Sequence, residues 1–230
     1  MCETCAFSAF RIFMSKPQSN LPTEIAEIFD ELNQHIYWLH ANWLIFEQLF
    51  ASDKERVDLM NDFAPIFFRL CQDSFHDNVI LYISRLTDPL KSAGKDTLSI
   101  ERLVTTIDSI KYQNLRNTIE QQFSTLKILC KPIKDIRNRK PAHNDFDLAF
   151  NLGSNSLPNI CKKDVDNILK HIRELMTSVW IYFNPDCELS YEVIMTNDGE
   201  AVIRALEKAK KYSDIRRNQY QQIKRSSHNE

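Results

Sequence analysis

Apolar side chains recur at three- and four-residue steps along most of this 230-residue chain. From Thr23 to Ala51 they form one continuous stripe, which predicts a long amphipathic helix. A second stripe, from Lys54 to Asp88, predicts another helix. Pro65 lies inside this second stripe, and we expect a kink or a break there because proline has no backbone N–H to donate.

The same spacing continues in the middle of the chain. A third helix is predicted from about Ser99 to Leu129, with a weak point near Tyr112 where it is expected to bend. Pro132 is expected to restart the chain in a short helix, which should end before Pro141 because the residue ahead of a proline disfavours the helical region. A fifth helix is predicted from about Lys163 to Phe183.

The pattern weakens toward the C-terminus. Alternating side chains from Tyr191 to Met195 predict a short extended segment. Asn197 to Glu200 resembles a helix cap, in which a side-chain acceptor is followed three residues later by Glu. We therefore expect a last helix from Ala201 to about Tyr212, followed by a frayed end.

Long amphipathic helices joined by short loops predict an all-α, up-and-down helical bundle with an extra C-terminal helix. The chain has only three glycines, and none is placed to form a glycine-rich phosphate loop. Standard dinucleotide-binding and P-loop folds are therefore excluded. The expected organisation is a flexible N-terminal segment, a helical domain and a basic, frayed tail, at 1–20, 21–212 and 213–230 respectively.

Charge is divided unevenly although the net charge is only −2. Residues 21–80 carry three bases and eleven carboxylates, whereas residues 102–142 carry nine bases and three carboxylates. This polarity indicates an anionic ligand at the second stretch, or equally two solvated helix faces that attract each other. The sequence has no apolar run of about 18 residues and no signal-peptide pattern, so we expect a cytoplasmic protein without a membrane contact.

Metal-ligand spacing is poorly represented. Cys2 and Cys5 have the C-x-x-C spacing, but no second pair completes a tetrahedral set. The histidines show neither the H-x-x-x-H nor the E-x-x-H pattern, which disfavours a metal-dependent bundle enzyme. We expect no cofactor.

The segment from Lys134 to Asp145 is the densest in groups that suit catalysis. Arg137 falls in the last turns of the predicted short helix, and His143 follows the break at Pro141. An arginine fork grips phosphate, and a histidine of near-neutral pKa can move a proton off a hydroxyl. The alternative is a basic helix C-terminus that complements the helix dipole, followed by polar residues that cap or pair.

The arrangement Arg137-Asn138-x4-His143 resembles the R-x(4–6)-H signature of HEPN domains, including a polar residue directly after the arginine. The similarity is greatest to the AbiU-like branch of abortive-infection HEPN proteins, and it runs from about Leu21 to Tyr212. Three further segments support it, namely Ile83–Pro89, Leu98–Leu103 and Asp198–Ala201.

This resemblance implies a four-helix HEPN bundle that forms a homodimer, with both motifs facing one cleft, and a metal-independent endoribonuclease of a defence or toxin–antitoxin system. It implies that Arg137 stabilises the scissile phosphate, His143 acts as acid or base, and Asn138 orients one of them. The implied partners are RNA, a second copy and an antitoxin protein. The alternative is a non-catalytic protein that binds RNA or a partner. Candidate substrate-binding residues are Arg85, Asp88, Arg139, Lys140 and Asp145.

The first predicted helix carries Trp38, Trp43 and Phe46 on its apolar stripe. This stripe is wider than one bundle interior usually requires, so we expect it to contribute to a dimer interface.

Overall fold

Helices make up nearly all of the structure, a computed structural model that describes residues 19–92, 94–139, 160–191 and 198–226. The predicted all-α class is confirmed. A single two-stranded antiparallel ribbon occurs among these residues, and Gly94 in its turn has a φ of 76°. The elements are α1 (Thr23–Phe50), α2 (Lys54–Phe63), α3 (Pro65–Leu86), β1 (Lys91–Ser92), β2 (Lys95–Asp96), α4 (Ile100–Thr106), α5 (Gln113–Arg139), α6 (Lys162–Phe183) and α7 (Gly199–Ser226).

Helix α1 confirms the first predicted helix, and it is antiparallel to α6. The Phe29 ring stacks on Trp180 with ring centroids 5.8 Å apart, near the start of α1. Toward its end, the Trp43 indole Nε1 donates to Asp166 Oδ1 at 2.7 Å. The main core contains the buried apolar faces of α1, α3, α4, α5 and α6. A second, smaller cluster joins the end of α1 to α2, α3 and α7.

The second predicted helix is divided at Ala64 into α2 and α3. Ala64 has an extended φ of −154°, and Pro65 is the first residue of α3. Proline is well suited to this first position because the N–H it lacks would have no intrahelical partner. The expected kink or break at Pro65 is therefore confirmed as a break.

The third predicted helix is also two helices, α4 and α5. The break begins at Ile107, and Asp108 Oδ1 accepts the backbone N–H groups of Ile110 and Lys111 at 2.7 and 2.8 Å. An aspartate that binds the backbone two or three residues ahead stabilises a turn in competition with the helix. The expected weak point near Tyr112 is thus a full interruption.

The predicted restart at Pro132 is wrong, because α5 continues through this proline to Arg139. Leu126, Cys130 and Ile133 are buried on one face of α5 on both sides of the proline. Pro132 itself is exposed, so the carbonyl of Ile128 that loses its hydrogen bond lies on a solvated side of the helix. Packing of the buried face therefore outweighs the local cost of the proline.

The predicted end of the last helix near Tyr212 is also wrong, since α7 extends to Ser226. Asp198 caps its start, with Oδ1 accepting the backbone N–H of Ala201 at 3.3 Å. Lys210 Nζ pairs with Asp62 Oδ2 of α2 at 2.8 Å. The exposed residues beyond are mostly Lys, Arg and Gln, whose own helix propensity supports the helix.

None of the described helices combines the length and the apolar composition that crossing a bilayer requires. Of the predicted extended segment only Tyr191 is described, and Asn197 of the predicted cap lies outside the described residues.

Candidate functional site

Arg137, in the last turn of α5, is held by Asp88, which follows the end of α3. Arg137 Nη1 donates to Asp88 Oδ1 at 2.9 Å and to Oδ2 at 3.2 Å. The two side chains are 24% and 16% exposed, respectively. The pair is therefore partly shielded from solvent. A charge-assisted hydrogen bond in such a position holds the two side chains in a defined geometry.

A second contact orients the same guanidinium. Arg137 Nε donates to Asn138 Oδ1 at 3.1 Å. Within the described residues no hydrogen bond is made by the remaining nitrogen, Nη2. The arrangement thus holds the guanidinium through Nε and Nη1, and Nη2 is the nitrogen that has no partner among the described residues.

The end of α3 explains the position of Asp88. Thr87 is buried, and its Oγ1 donates to the carbonyl of Ile83 at 3.0 Å. The backbone N–H of Asp88 donates to the carbonyl of Arg85 at 3.2 Å. Pro89 follows and prevents the helix from continuing. These local contacts place the Asp88 carboxylate where α5 can reach it.

Lys134 is a neighbour of this pair to which the sequence analysis gave no role. Its Nζ donates to the carbonyl of Thr87 at 2.6 Å. Burial lowers the pKa of Lys134, and the nearby Asp88 carboxylate opposes that effect. Its spacing in the sequence could have identified it, because Lys134 and Arg137 are three residues apart and share one face of α5.

Cys130 lies one turn earlier on α5 and is fully buried. Burial raises the pKa of its thiol to about 12, and Lys134 partly opposes the shift. The thiol is therefore protonated at neutral pH and is a poor nucleophile.

Arg85 is not brought into the pair. Its side chain is exposed, and it makes no side-chain hydrogen bond or ion pair among the described residues. Its backbone carbonyl alone contacts Asp88. Of the two candidates at the end of α3, Asp88 meets Arg137 and Arg85 does not.

The other candidates lie at the edge of the described chain or beyond it. Arg139 is the last residue of α5. Lys140, His143 and Asp145 are outside the described residues. The expected roles of these residues, and of Arg137 and Asn138, stay predictions.

The aromatic stripe of α1 is largely used within the chain. Trp43 is buried and stacks on Phe46 with ring centroids 5.3 Å apart. Trp38 is 40% exposed. Trp43 is therefore used in packing within the chain, whereas the exposed Trp38 leaves the expected dimer interface a prediction.

No group of three or more potential metal ligands occurs in the described ranges. Cys2 and Cys5 lie outside those ranges.

Comparison with known proteins gives one match. The model of the HEPN_AbiU2 family, described as AbiU2, matches residues 22–212. No curated protein and no solved structure matches the sequence. The family match spans well over half of the chain and includes both Asp88 and Arg137. The chain therefore belongs to the HEPN_AbiU2 family, which suggests a role related to abortive-infection defence.

Proposed function

We propose that this protein is a metal-independent endoribonuclease of an abortive-infection or toxin–antitoxin system. The observation that carries the proposal is the orientation of Arg137 by Asp88 and Asn138, with Nη2 left without a partner among the described residues. His143 follows six residues later in the same chain, at the spacing of the HEPN signature. This combination supplies a fixed cation for phosphate and a group that transfers protons.

The proposed reaction uses the 2′-hydroxyl of the RNA as the nucleophile. The 2′-oxygen forms a bond to the adjacent phosphorus while the bond from phosphorus to the 5′-oxygen breaks. His143 takes the proton of the 2′-hydroxyl or protonates the departing 5′-oxygen, and water exchanges the other proton. Arg137 stabilises the negative charge on the phosphoryl oxygens. The products are a 2′,3′-cyclic phosphate and a 5′-hydroxyl.

Incubation of the purified full chain with RNA and with DNA of the same sequence tests the proposal. RNA should be cleaved to cyclic-phosphate ends, DNA should resist because it has no 2′-hydroxyl, and EDTA should have no effect. His143→Ala should lower the rate about 10²- to 10⁴-fold. Arg137→Ala should lower it at least as much, because the phosphate then loses its donor.

The matched control is His76→Ala, because His76 is an exposed histidine of α3 whose recorded polar contact is to Asp77. This variant should cleave RNA at the wild-type rate. Equal cleavage of DNA, a folded His143→Ala protein that keeps full activity, or activity that EDTA abolishes and Mn²⁺ restores would contradict the mechanism.

The proposed partners are RNA, a second copy of the chain and an antitoxin protein. Light scattering at micromolar concentration tests the dimer against the 27.0 kDa mass of one chain. A clean monomer would remove the shared cleft from the proposal and leave a site made by one chain.

One observation favours the alternative of a non-catalytic interaction protein. Four large apolar side chains around the junction of α2 and α3 are more than 40% exposed, namely Phe63, Ile66, Phe67 and Leu70. Clustered exposed apolar groups are typical of protein-binding surfaces. If the chain binds a partner and shows no RNA cleavage, this second function is the better description.

A further inference from the structure

A groove lies between α1, α6 and the segment after α6, of which the structure describes residues up to Tyr191. Its smaller part has a volume of about 380 Å³ and is lined by residues that include His40, Arg173 and Tyr191. A second, larger cavity of about 690 Å³ adjoins it and is also lined by Arg173 and Tyr191, and we treat the two as the smaller and larger parts of one feature. We call this feature the donor groove. None of the residues that line it belongs to the Arg137 site.

His40 contributes a buried hydrogen-bond donor to the donor groove. The residue is 8% exposed, and its Nδ1 lies 3.5 Å from Arg173 Nη1. Because a guanidinium can only donate, Nδ1 is the acceptor and the hydrogen of a neutral ring is on Nε2. Burial and then the charge of Arg173 lower the pKa of His40 to about 4, so the ring is neutral near pH 7. Nε2 is buried and has no hydrogen-bond partner in the described structure.

Tyr191 contributes a second donor. Its ring centroid is 5.7 Å from that of His40, and its hydroxyl is buried without a hydrogen-bond partner in the described part of the chain. Burial raises the pKa of Tyr191, so the hydroxyl keeps its proton. Buried polar groups are normally satisfied by protein, water or ligand. Both residues line the donor groove, so an acceptor bound there would satisfy the two groups once their side chains shift enough to expose them.

Arg173 contributes positive charge. Its only recorded contact among the described residues is the one to His40, and it makes no ion pair there. Glu188, in the larger part of the groove, is exposed, so solvent screens its charge. The other carboxylates that line the groove are held by lysines, in the pairs Lys162 with Glu47, Lys162 with Asp166, and Lys170 with Glu174.

We propose that the donor groove binds the phosphoryl group of a small phosphomonoester, with Arg173, His40 and Tyr191 donating to its oxygens. The three donors come from α1, α6 and the segment after α6, and a phosphoryl group offers one terminal oxygen to each. A carboxylate offers only two oxygens in one plane. The larger part of the groove provides space for the organic portion of the ligand. This site is independent of the proposed RNA cleavage.

Binding is measured directly by calorimetry on the full chain, without RNA and at constant ionic strength. The probes are inorganic phosphate, ribose 5-phosphate, adenosine 5′-monophosphate and adenosine. Both phosphomonoesters should bind more tightly than inorganic phosphate, and adenosine should not bind. Absence of any phosphate-dependent binding would overturn the proposal. Equal affinity for adenosine, or for inorganic phosphate and the esters, would overturn the assignment of a phosphomonoester.

Two matched pairs of variants locate the binding site. Tyr191→Phe removes only the hydroxyl and should weaken binding about 10- to 100-fold, as expected for one hydrogen bond to a charged group. Tyr182→Phe, on the exposed side of α6, should bind normally. Arg173→Gln should abolish measurable binding, whereas Arg204→Gln on α7 should not. Wild-type affinity in a folded Tyr191→Phe protein would refute the site.

A further variant separates this site from the first one. Arg137→Gln should keep wild-type affinity for the phosphomonoesters, because Arg137 does not line the donor groove. Loss of binding in this variant would move the ligand to the α5 site and overturn the inference.

Discussion

Arg137 and Arg173 are both partly buried arginines on long helices, but their surroundings differ. Arg137 is paired with the Asp88 carboxylate, whereas Arg173 makes its recorded contact with a neutral imidazole and has no carboxylate partner in the described structure. A carboxylate partner fixes an arginine in space and offsets its charge. An arginine without one keeps its full attraction for an anion.

This difference separates two uses of the same side chain. In the proposed RNA cleavage, Arg137 is a positioned cation whose charge Asp88 partly offsets. The donor groove is suited to binding a stable anion. Four predictions follow from the contrast between these sites and between the helices that carry them.

The largest expected effect concerns the geometry of Arg137. Arg137→Lys keeps the positive charge, but a single ammonium cannot hold Asp88 and a phosphate oxygen with the geometry of a planar fork. We expect RNA cleavage to fall about 10²-fold, measured as kcat/KM. The matched control is Arg69→Lys, because Arg69 forms an exposed pair with Asp73 on α3. Full activity of Arg137→Lys would mean that charge alone matters at the first site.

The second prediction concerns the neutral partner of Arg173. The folded protein holds the pKa of His40 at about 4, below its ordinary value of 6.5. Between pH 4 and pH 6.5, His40 binds a proton in the unfolded chain but not in the folded protein. The free energy of unfolding therefore falls as the pH decreases from 6.5 to 4. This loss should amount to about 3 kcal/mol in the free energy of unfolding.

Urea unfolding from pH 7 to pH 4 measures this contribution. His40→Gln should lose less stability over that range than the wild type, whereas His35→Gln, at an exposed position of the same helix, should behave like the wild type. Identical pH profiles for His40→Gln and the wild type would mean that His40 is readily protonated, and Nε2 would then face solvent or an acid.

The third prediction contrasts the two supporting helices, because α5 contains Pro132 and α6 has no proline. Pro132→Ala should raise the free energy of unfolding by about 1–3 kcal/mol, since alanine restores a backbone hydrogen bond in a helix interior. Pro65→Ala should instead lower it slightly, because Pro65 is at a favourable first position. Denaturant unfolding compares the two, and a destabilised Pro132→Ala protein would show that α5 requires the proline.

The smallest expected effect tests whether Asp88 positions Arg137. Asp88→Asn keeps an acceptor oxygen but removes the charge, and we expect kcat for RNA cleavage to fall about tenfold with little change in KM. Asp73→Asn, which alters the exposed pair with Arg69, should have no effect. A higher kcat in Asp88→Asn would indicate that Asp88 competes with the phosphate for Arg137.

The two prolines show how far local patterns can be trusted. Both interrupt an apolar stripe in the sequence, yet α3 begins at Pro65 and α5 passes through Pro132. At Pro65 the preceding residue is extended and the proline occupies a first turn. At Pro132 the buried face continues on both sides, and the freed carbonyl is on an exposed surface. At Pro132, the burial of side chains on both sides of the proline decided that the helix continues. A short stretch of sequence does not show which side chains are buried.

The sequence by itself determined the helical class, the bounds of α1 and α6 to within a residue or so, and the family, because helical hydrogen bonds and amphipathic spacing connect residues only three or four apart. Through the family resemblance it also named Arg137 and Asp88 as candidate site residues. The tertiary structure decided that these two side chains are bonded across 49 positions, and that His40 and Arg173 meet across 133. Contacts of that kind depend on how whole helices pack, which no local period specifies.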